Sequence, residues 1–335
     1  MLRSGRSRSI HVSRILTLSA GLLGVLGVTH AEAQAQDAAK SFSSILTQNT
    51  RKTFQEVAGY VRENPNAGDA EQAYRWLFQV ATTFGMEADA IPLAEMYLKR
   101  DGDQLSSKSL AFQVRSLGLI KAGKSKEALA DFDEHLQSAR LRSANATIDY
   151  GISLATAAQL AGDYAAARTI YEKLPRPFFL NRQVRKICEN RLAKLDLADA
   201  AAPEVTVQDF DGKQVTLAAY KGKVVLVDFW ATNCPPCLKE FPAMKQLYAK
   251  YHKQGLEVIG ISLDADRQLV DGFQEQWKLP WAMTLSGSDR DATRTRYKAR
   301  TIPSLFLVDR DGKIAYVDVR GQALKAAVEK LMSKE

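Results

Sequence analysis

The 335-residue chain carries 46 Lys and Arg against 38 Asp and Glu, with 46% hydrophobic and 25% charged residues. Those proportions exclude a disordered or collagen-like chain, and the length predicts two domains once a targeting segment is set aside. Part of the net charge of +8 is N-terminal: without Arg3, Arg6, Arg8, Arg14 and Glu32, 42 basic and 37 acidic residues remain, a net of +5. So small an excess, spread along the chain, excludes nucleic acid as an expected partner.

The four arginines precede the apolar stretch ILTLSAGLLGVLGV (15–28), which is followed by the small-residue patterns AEA (31–33) and AQA (33–35). A basic start, a short apolar core and a cleavage pattern predict a signal peptide over residues 1–35. The alternative is an uncleaved membrane anchor, although the stretch is shorter than the roughly 20 residues of a spanning helix. Either way the expected location is extracytoplasmic, periplasmic or secreted, where disulfides persist. Three cysteines are too few for a disulfide-stapled fold, and a close pair plus a singleton points to chemistry.

Residues 36–200 are rich in Ala, Leu, Glu, Lys and Gln, the composition of helix throughout. GKSKEALADF (123–132) and GDYAAARTIY (162–171) share a Gly, an Ala five residues later, and an aromatic four after that. GMEADAIPLA (85–94) keeps the Gly and the first Ala, with Ala94 in the aromatic position. Each Gly is expected to turn the chain between antiparallel helices that pack closely at the Ala. The pattern resembles tetratricopeptide repeats, at a longer spacing, and predicts an α-helical repeat domain, with an irregular helical bundle as the alternative. Pro92 is expected near a helix start. Tyr74, Trp76, Phe78 and Phe112 are expected in the core between helices, the alternative being a peptide groove. Cys188, flanked by apolar residues, reads as core, with an intermolecular disulfide as the other reading.

LPRPFF (174–179) breaks the helices before a last one near 181–198, and DLADAAAPE (196–204) reads as a linker. Residues 201–335 then form a second domain. VTVQDF, KQVTLAAY, KVVLVDFW, LEVIGISLD, SLFLVDRDG and KIAYVDVRG predict strands, with helices expected at 236–253, 266–277, 289–298 and 322–333. Buried strands alternating with helices predict an α/β layer. LVDRDGKIAYVDV predicts an antiparallel hairpin, so the central sheet is mixed.

Between the strand at 223–230 and the helix after it stands CPPC. Cys234 is expected at a helix N-cap and Cys237 in the first turn, with Pro235 and Pro236 where the N–H groups lack helical partners anyway. Free backbone donors and the positive helix end favour a thiolate at Cys234, from which Cys237 can resolve a mixed disulfide. A zinc site and a structural bridge are the competing readings. The first lacks further ligands, and the second closes so short a loop that it restrains the unfolded chain little. No metal and no cofactor beyond the dithiol is expected.

VVLVDFWATNCPPCLKEFP together with TIPSLFLVDRDGK (301–313) resembles the thioredoxin fold, and more closely the TlpA/ResA-like extracytoplasmic thiol–disulfide oxidoreductases, over residues 203–335. The resemblance implies a redox disulfide between Cys234 and Cys237 and a cis Ile302–Pro303 bond that presents the Ile302 backbone to substrate. Ile302, Pro303 and Trp230, the last packed beneath the site, make up the expected substrate-binding residues. Asp228, at the position of a buried aspartate in thioredoxin, is expected to relay a proton to or from Cys237, and Glu240 to tune the same thiols. Asn233 departs from the pattern, since thioredoxin-like proteins commonly have Trp there.

The function expected is that of a protein-disulfide reductase acting on extracytoplasmic disulfides, with the helical repeats docking protein clients or a partner. A membrane protein is the expected electron donor. The alternative is a helical scaffold whose thioredoxin-like domain senses redox state or dimerises. A peroxidase is disfavoured, because Val227 and Ala231 stand where peroxiredoxins carry Pro and Thr ahead of the cysteine.

Overall fold

Helix α1 (Phe42–Glu63) is followed by three helix pairs, each reversed at a glycine. These are α2 (Ala70–Phe84) with α3 (Glu87–Leu98), α4 (Leu105–Lys121) with α5 (Ser125–Ser138), and α6 (Ala144–Ala161) with α7 (Tyr164–Lys173). The reversing residues Gly85, Gly123 and Gly162 have φ of +70°, +75° and +84°, a conformation costly for any residue with a Cβ. Five residues past each glycine, Ala90, Ala128 and Ala167 are fully buried; nine past, so are Ala94, Phe132 and Tyr171. The period read in the sequence is therefore the period of helix packing. Helix α8 (Arg182–Leu195) ends the helical part, its N-terminus capped by Asn181, whose Oδ1 accepts from the Gln183 and Val184 amides.

This is a computed structural model, and it describes residues 42–100, 105–139, 144–210, 212–285 and 288–333. The signal peptide expected over residues 1–35, and the alternative anchor, lie outside the described residues. Among those residues no helix is long and apolar enough to cross a membrane. Phe54–Glu335 form one compact unit.

Helices α3 and α4 approach each other closely at Gly118. A Cβ there would lie 2.8 Å from Ile91 Cγ1 and 3.0 Å from the Glu87 carbonyl oxygen. The Ile91 side chain can turn aside but the carbonyl cannot. Gly118→Ala is therefore expected to cost about 1–3 kcal/mol, even though Ala is the better helix former by ~1 kcal/mol. Urea denaturation reads this directly, and a midpoint at or above the wild-type value would refute the close approach.

Pro92 lies well inside α3 rather than near its start. Its ring and Ala88, whose carbonyl loses a helical donor, are both exposed, so water can serve that oxygen. Tyr74, Phe78 and Phe112 are buried, and Trp76 is half-buried. The rings of Tyr74, Phe78 and Tyr97 meet at centroid distances of 5.1–5.9 Å.

The C-terminal part is built on β1 (Thr206–Gln208), β2 (Gln214–Thr216), β3 (Val224–Trp230), β4 (Leu256–Ser262), β5 (Ala282–Thr284), β6 (Ser304–Val308) and β7 (Ile314–Val317). β1 and β2 form a small antiparallel pair, and the main sheet runs β5-β4-β3-β6-β7. Its β3–β4 and β4–β5 pairs are parallel, while β3–β6 and β6–β7 are antiparallel, so the sheet is mixed as expected. Strand β5, three residues long, was not foreseen.

The expected helix 236–253 is interrupted. Pro235–Leu238 forms a single turn, α9, and α10 (Phe241–Tyr251) begins anew. Pro242 has no N–H with which to continue the ladder. Helices α11 (Arg267–Trp277), α12 (Ser288–Arg296) and α13 (Gly321–Met332) complete this part.

Both faces of β3 are buried along its whole length. Val224, Leu226 and Trp230 join one apolar cluster with Cys234, Cys237, Phe241 and Met244. Val225, Val227 and Phe229 join another that runs unbroken into Tyr171, Leu174, Val184, Cys188 and Leu195 of the helical part. The segment read as a linker is laid along β7: Asp199 N donates to the Ile314 carbonyl (2.8 Å) and Ile314 N to the Ala200 carbonyl (2.9 Å). Further along that edge, Val317 N donates to Gln159 Oε1 (3.2 Å) and Tyr164 Oη to the Ala315 carbonyl (2.7 Å). An edge whose polar groups are satisfied in this way offers no template for another strand.

Candidate active site

Strand β3 delivers the chain to Ala231, and the following turn is fixed from β4. The carboxylate of Asp264 accepts from Thr232 N (2.9 Å) and Thr232 Oγ1 (2.7 Å), and its Oδ2 also accepts from Ser262 Oγ (2.7 Å). Cys234 then stands at the N-cap of α9 and Cys237 within its single turn, joined by a disulfide with a Cα–Cα distance of 5.3 Å. The Cys237 amide points at Cys234 Sγ, 3.3 Å away. One helical turn carries little macrodipole, so this N–H is the specific donor that would favour a thiolate at Cys234 after reduction. Asn233, Pro235 and Pro236 are exposed, whereas Cys234 and Cys237 show 6% and 2% of their surfaces. A partner must therefore press closely on the rim to reach sulfur.

Asp228 lies on β3, on the same face as Trp230, and is 2% exposed. It pairs in register with Gly260 on β4 and Leu305 on β6, neither of which can solvate it. Burial pushes its carboxyl up to about 7, against the pull of Arg320 and with a further push from Glu240. An acid poised there can exchange protons near neutral pH. Glu240, half-buried, bridges two helix starts: its Oε2 accepts from the Gly321 amide at the head of α13 (2.9 Å).

The Ile302–Pro303 bond is cis. Ile302 is partly buried against the cluster that holds both cysteines, and Pro303 is buried beside it. Trp230 is fully buried, with its ring 5.1 Å from Phe241 and 5.0 Å from Phe273. It lies beneath the site and offers no surface of its own. Cys188 is buried away from the pair, and burial pushes its thiol up to about 11.

Residues not foreseen from the sequence complete the surroundings: Asp264, Lys194, Asp318 and Arg320. Arg320 donates from Nη2 to the Pro303 carbonyl (2.6 Å). Lys194, from α8, donates to Ser304 Oγ (2.9 Å). The only local signal for any of them is Asp318 and Arg320 closing a strand-like run, which strand ends often do.

A CxxC disulfide at a strand-to-helix turn, with a buried acid on the strand before it and Ile302 of a cis-Pro loop packed in the same cluster, is an arrangement able to exchange disulfides. Known proteins match this region. The AhpC/TSA family model matches residues 198–317. A thiol-disulfide oxidoreductase ResA of Bacillus thuringiensis subsp. konkukian (strain 97-27) is 35% identical over 133 residues, 40% of this chain and 75% of that protein. The chain belongs to the ResA family of thiol–disulfide oxidoreductases. Another member, from Bacillus subtilis (strain 168), is 30% identical over 132 residues, covering 39% of this chain and 72% of that one. The crystal structure of the thioredoxin domain of a Bacteroides vulgatus thiol-disulfide oxidoreductase is 33% identical, covering 41% of this chain and 98% of that chain, with a TM-score of 0.39. As a member of that family the chain is a thiol–disulfide oxidoreductase whose C-terminal part is thioredoxin-like, preceded by helices.

Proposed function

We propose that the chain is an extracytoplasmic protein-disulfide reductase that uses Cys234 and Cys237 as its dithiol. The observation that carries this reading is the Cys234–Cys237 disulfide at the head of α9, packed in one cluster with Ile302 of the cis-Pro loop. In the reduced protein Cys234 thiolate attacks one sulfur of a client disulfide, forming a mixed disulfide and releasing one client thiolate. Asp228 carboxylate then takes the Cys237 proton, and Cys237 sulfur attacks Cys234 Sγ. The Cys234–Cys237 bond forms, the mixed disulfide breaks, and the second client sulfur leaves as a thiolate that is protonated from Asp228 or water. Two electrons pass from the dithiol to the client, and a dithiol donor on a membrane protein restores the reduced state.

Ile302 offers its backbone to the client chain beside the cysteines, with Trp230 supporting the surface from below and Glu240 setting the charge around the thiols. The basic and apolar N-terminal segment supports an extracytoplasmic location. The helical domain, residues 36–200, docks the client or a partner. Its support is the shared core, which would hold a bound chain at a fixed distance from Cys234.

Cys237→Ser is the direct test. Mixed with insulin, it is expected to accumulate a covalent adduct at Cys234, identified by peptide mass, because the resolving thiol is gone. Cross-linking of that adduct should reach lysines of α1–α8 if those helices dock the client. Absence of the adduct, with the wild-type protein still reducing insulin, would sink the mechanism.

A further inference from the structure

The cis-Pro loop is gripped from behind by two cations that come from different parts of the chain. Lys194, 2% exposed on α8, donates from Nζ to Ser304 Oγ (2.9 Å), and Ser304 Oγ donates in turn to the Thr301 carbonyl (2.5 Å). Arg320 donates to the Pro303 carbonyl (2.6 Å). Between the cations lies Asp318, 5% exposed at φ +53°. It forms an ion pair with Lys194, stands 3.7 Å from Arg320 Nη2, and accepts from Leu305 N at 3.4 Å. Arg320 stands within electrostatic reach of both Asp228 and Glu240, and its Nε is buried without a hydrogen-bond partner.

An arginine following a strand, left to itself, would extend into water, where its charge is best solvated. Here the Asp318 carboxylate and the Pro303 carbonyl hold the guanidinium inward. Asp318 in turn stays buried as an anion because Lys194 comes across the core to pair with it. We propose that Arg320 is a positioning residue for the dithiol site, anchored through Asp318 by Lys194, which the helical part contributes. This deepens the reading of Asp228 as the proton acceptor and rests on it. With Arg320 in place Asp228 is favoured as carboxylate, the form that accepts the Cys237 proton as the Cys234–Cys237 bond forms. The other charged group acting on Asp228 is Glu240, between α9 and α10, which opposes Arg320. Its sheet neighbours Gly260 and Leu305 carry no charge.

The resolving step can be followed by stopped flow, mixing reduced full-length protein with 5,5′-dithiobis-(2-nitrobenzoate) and recording the second release of chromophore as pH is varied. In the wild type this phase is expected to quicken through pH about 7. Arg320→Gln should move the midpoint up by about one pH unit and slow the phase roughly fivefold at pH 7. Arg320→Lys, which keeps the charge, should stay near the wild-type midpoint. Lys194→Met/Asp318→Asn, which removes both members of the buried pair and with them the carboxylate that holds Arg320 inward, should move it in the same direction as Arg320→Gln. A merely structural role would lower rates at every pH without displacing the midpoint, and that result in a folded Arg320→Gln protein overturns the proposal. So does an unmoved midpoint in the double variant. Asp228→Asn separates the two layers. If the pH limb disappears there yet ignores Arg320→Gln, only the role of Arg320 falls; if the limb survives Asp228→Asn, the proton reading falls and takes this one with it.

Discussion

Asp228→Asn is expected to make the oxidised protein more stable at pH 8, by on the order of 4 kcal/mol, and to leave it almost unchanged at pH 4. Burial raises the folded-state pKa of Asp228 to about 7, whereas an unfolded Asp titrates near 3.9. Below pH about 4 the group is protonated in both states and costs nothing beyond a neutral amide. Between those values the folded state binds more protons than the unfolded one, so stability falls as pH rises, and above about 7 the whole penalty is present. Asparagine carries no such penalty. Urea denaturation of both proteins at pH 4, 6 and 8 reads the difference, and an equal gap at pH 4 and 8 would show that the acid is not perturbed. In the proposed mechanism Asp228 takes the Cys237 proton, so on that reading the same change should slow the resolving step at pH 7 by roughly 10²-fold. A residue that weakens the fold while serving the chemistry is the expected form of a stability–activity trade-off.

What could be read from the sequence was local. Gly85, Gly123 and Gly162 announce helix reversals because a left-handed backbone and a following small residue are properties of a few neighbouring positions. The continuous apolar run of β3 and the CPPC after it are likewise legible, as is the hairpin joining β6 to β7. The interrupted helix at Pro242 was within reach of the same reasoning, since the missing N–H is written in the sequence. Strand β5, with three residues, is too short to show a period. Lys194 is the instructive failure. In RLAKLDL it resembles any solvated lysine on an amphipathic helix, and its partner Ser304 lies 110 residues away. Nothing local distinguishes a lysine that will be buried against a distant carboxylate from one that faces water. The shared core is illegible in the sequence for a related reason, because a helix shows how wide its apolar face is but not which surface covers it.

Lys194→Met is expected to cost about 3–5 kcal/mol, the penalty for leaving one member of a buried ion pair alone. Lys194 and Asp318 show 2% and 3% of their side-chain surfaces. Burial would by itself raise the Asp318 carboxyl, but Lys194, Arg191 and Arg320 together hold it below the ordinary carboxylate range. A depressed carboxyl stabilises the fold above its unfolded pKa and loses that contribution as pH falls through the folded value. Lys194→Met should therefore weaken the protein at pH 7 and flatten its stability loss in acid. Arg320, 3.7 Å from the carboxylate, still compensates in part, which favours the lower end of the range. Lys194→Met/Asp318→Asn should recover most of the loss, since Met fills the volume and Asn accepts the left-handed backbone at position 318. Single changes that simply add, with no recovery in the double, would show the pair to be uncoupled. Strong coupling has a structural consequence: a chain cut near residue 200 loses Lys194 and keeps Asp318, so the C-terminal part alone would carry the same lone carboxylate as Lys194→Met. Its stability measured in isolation should then fall short of the intact protein by at least the single-variant cost, with the uncovered sheet face adding to it.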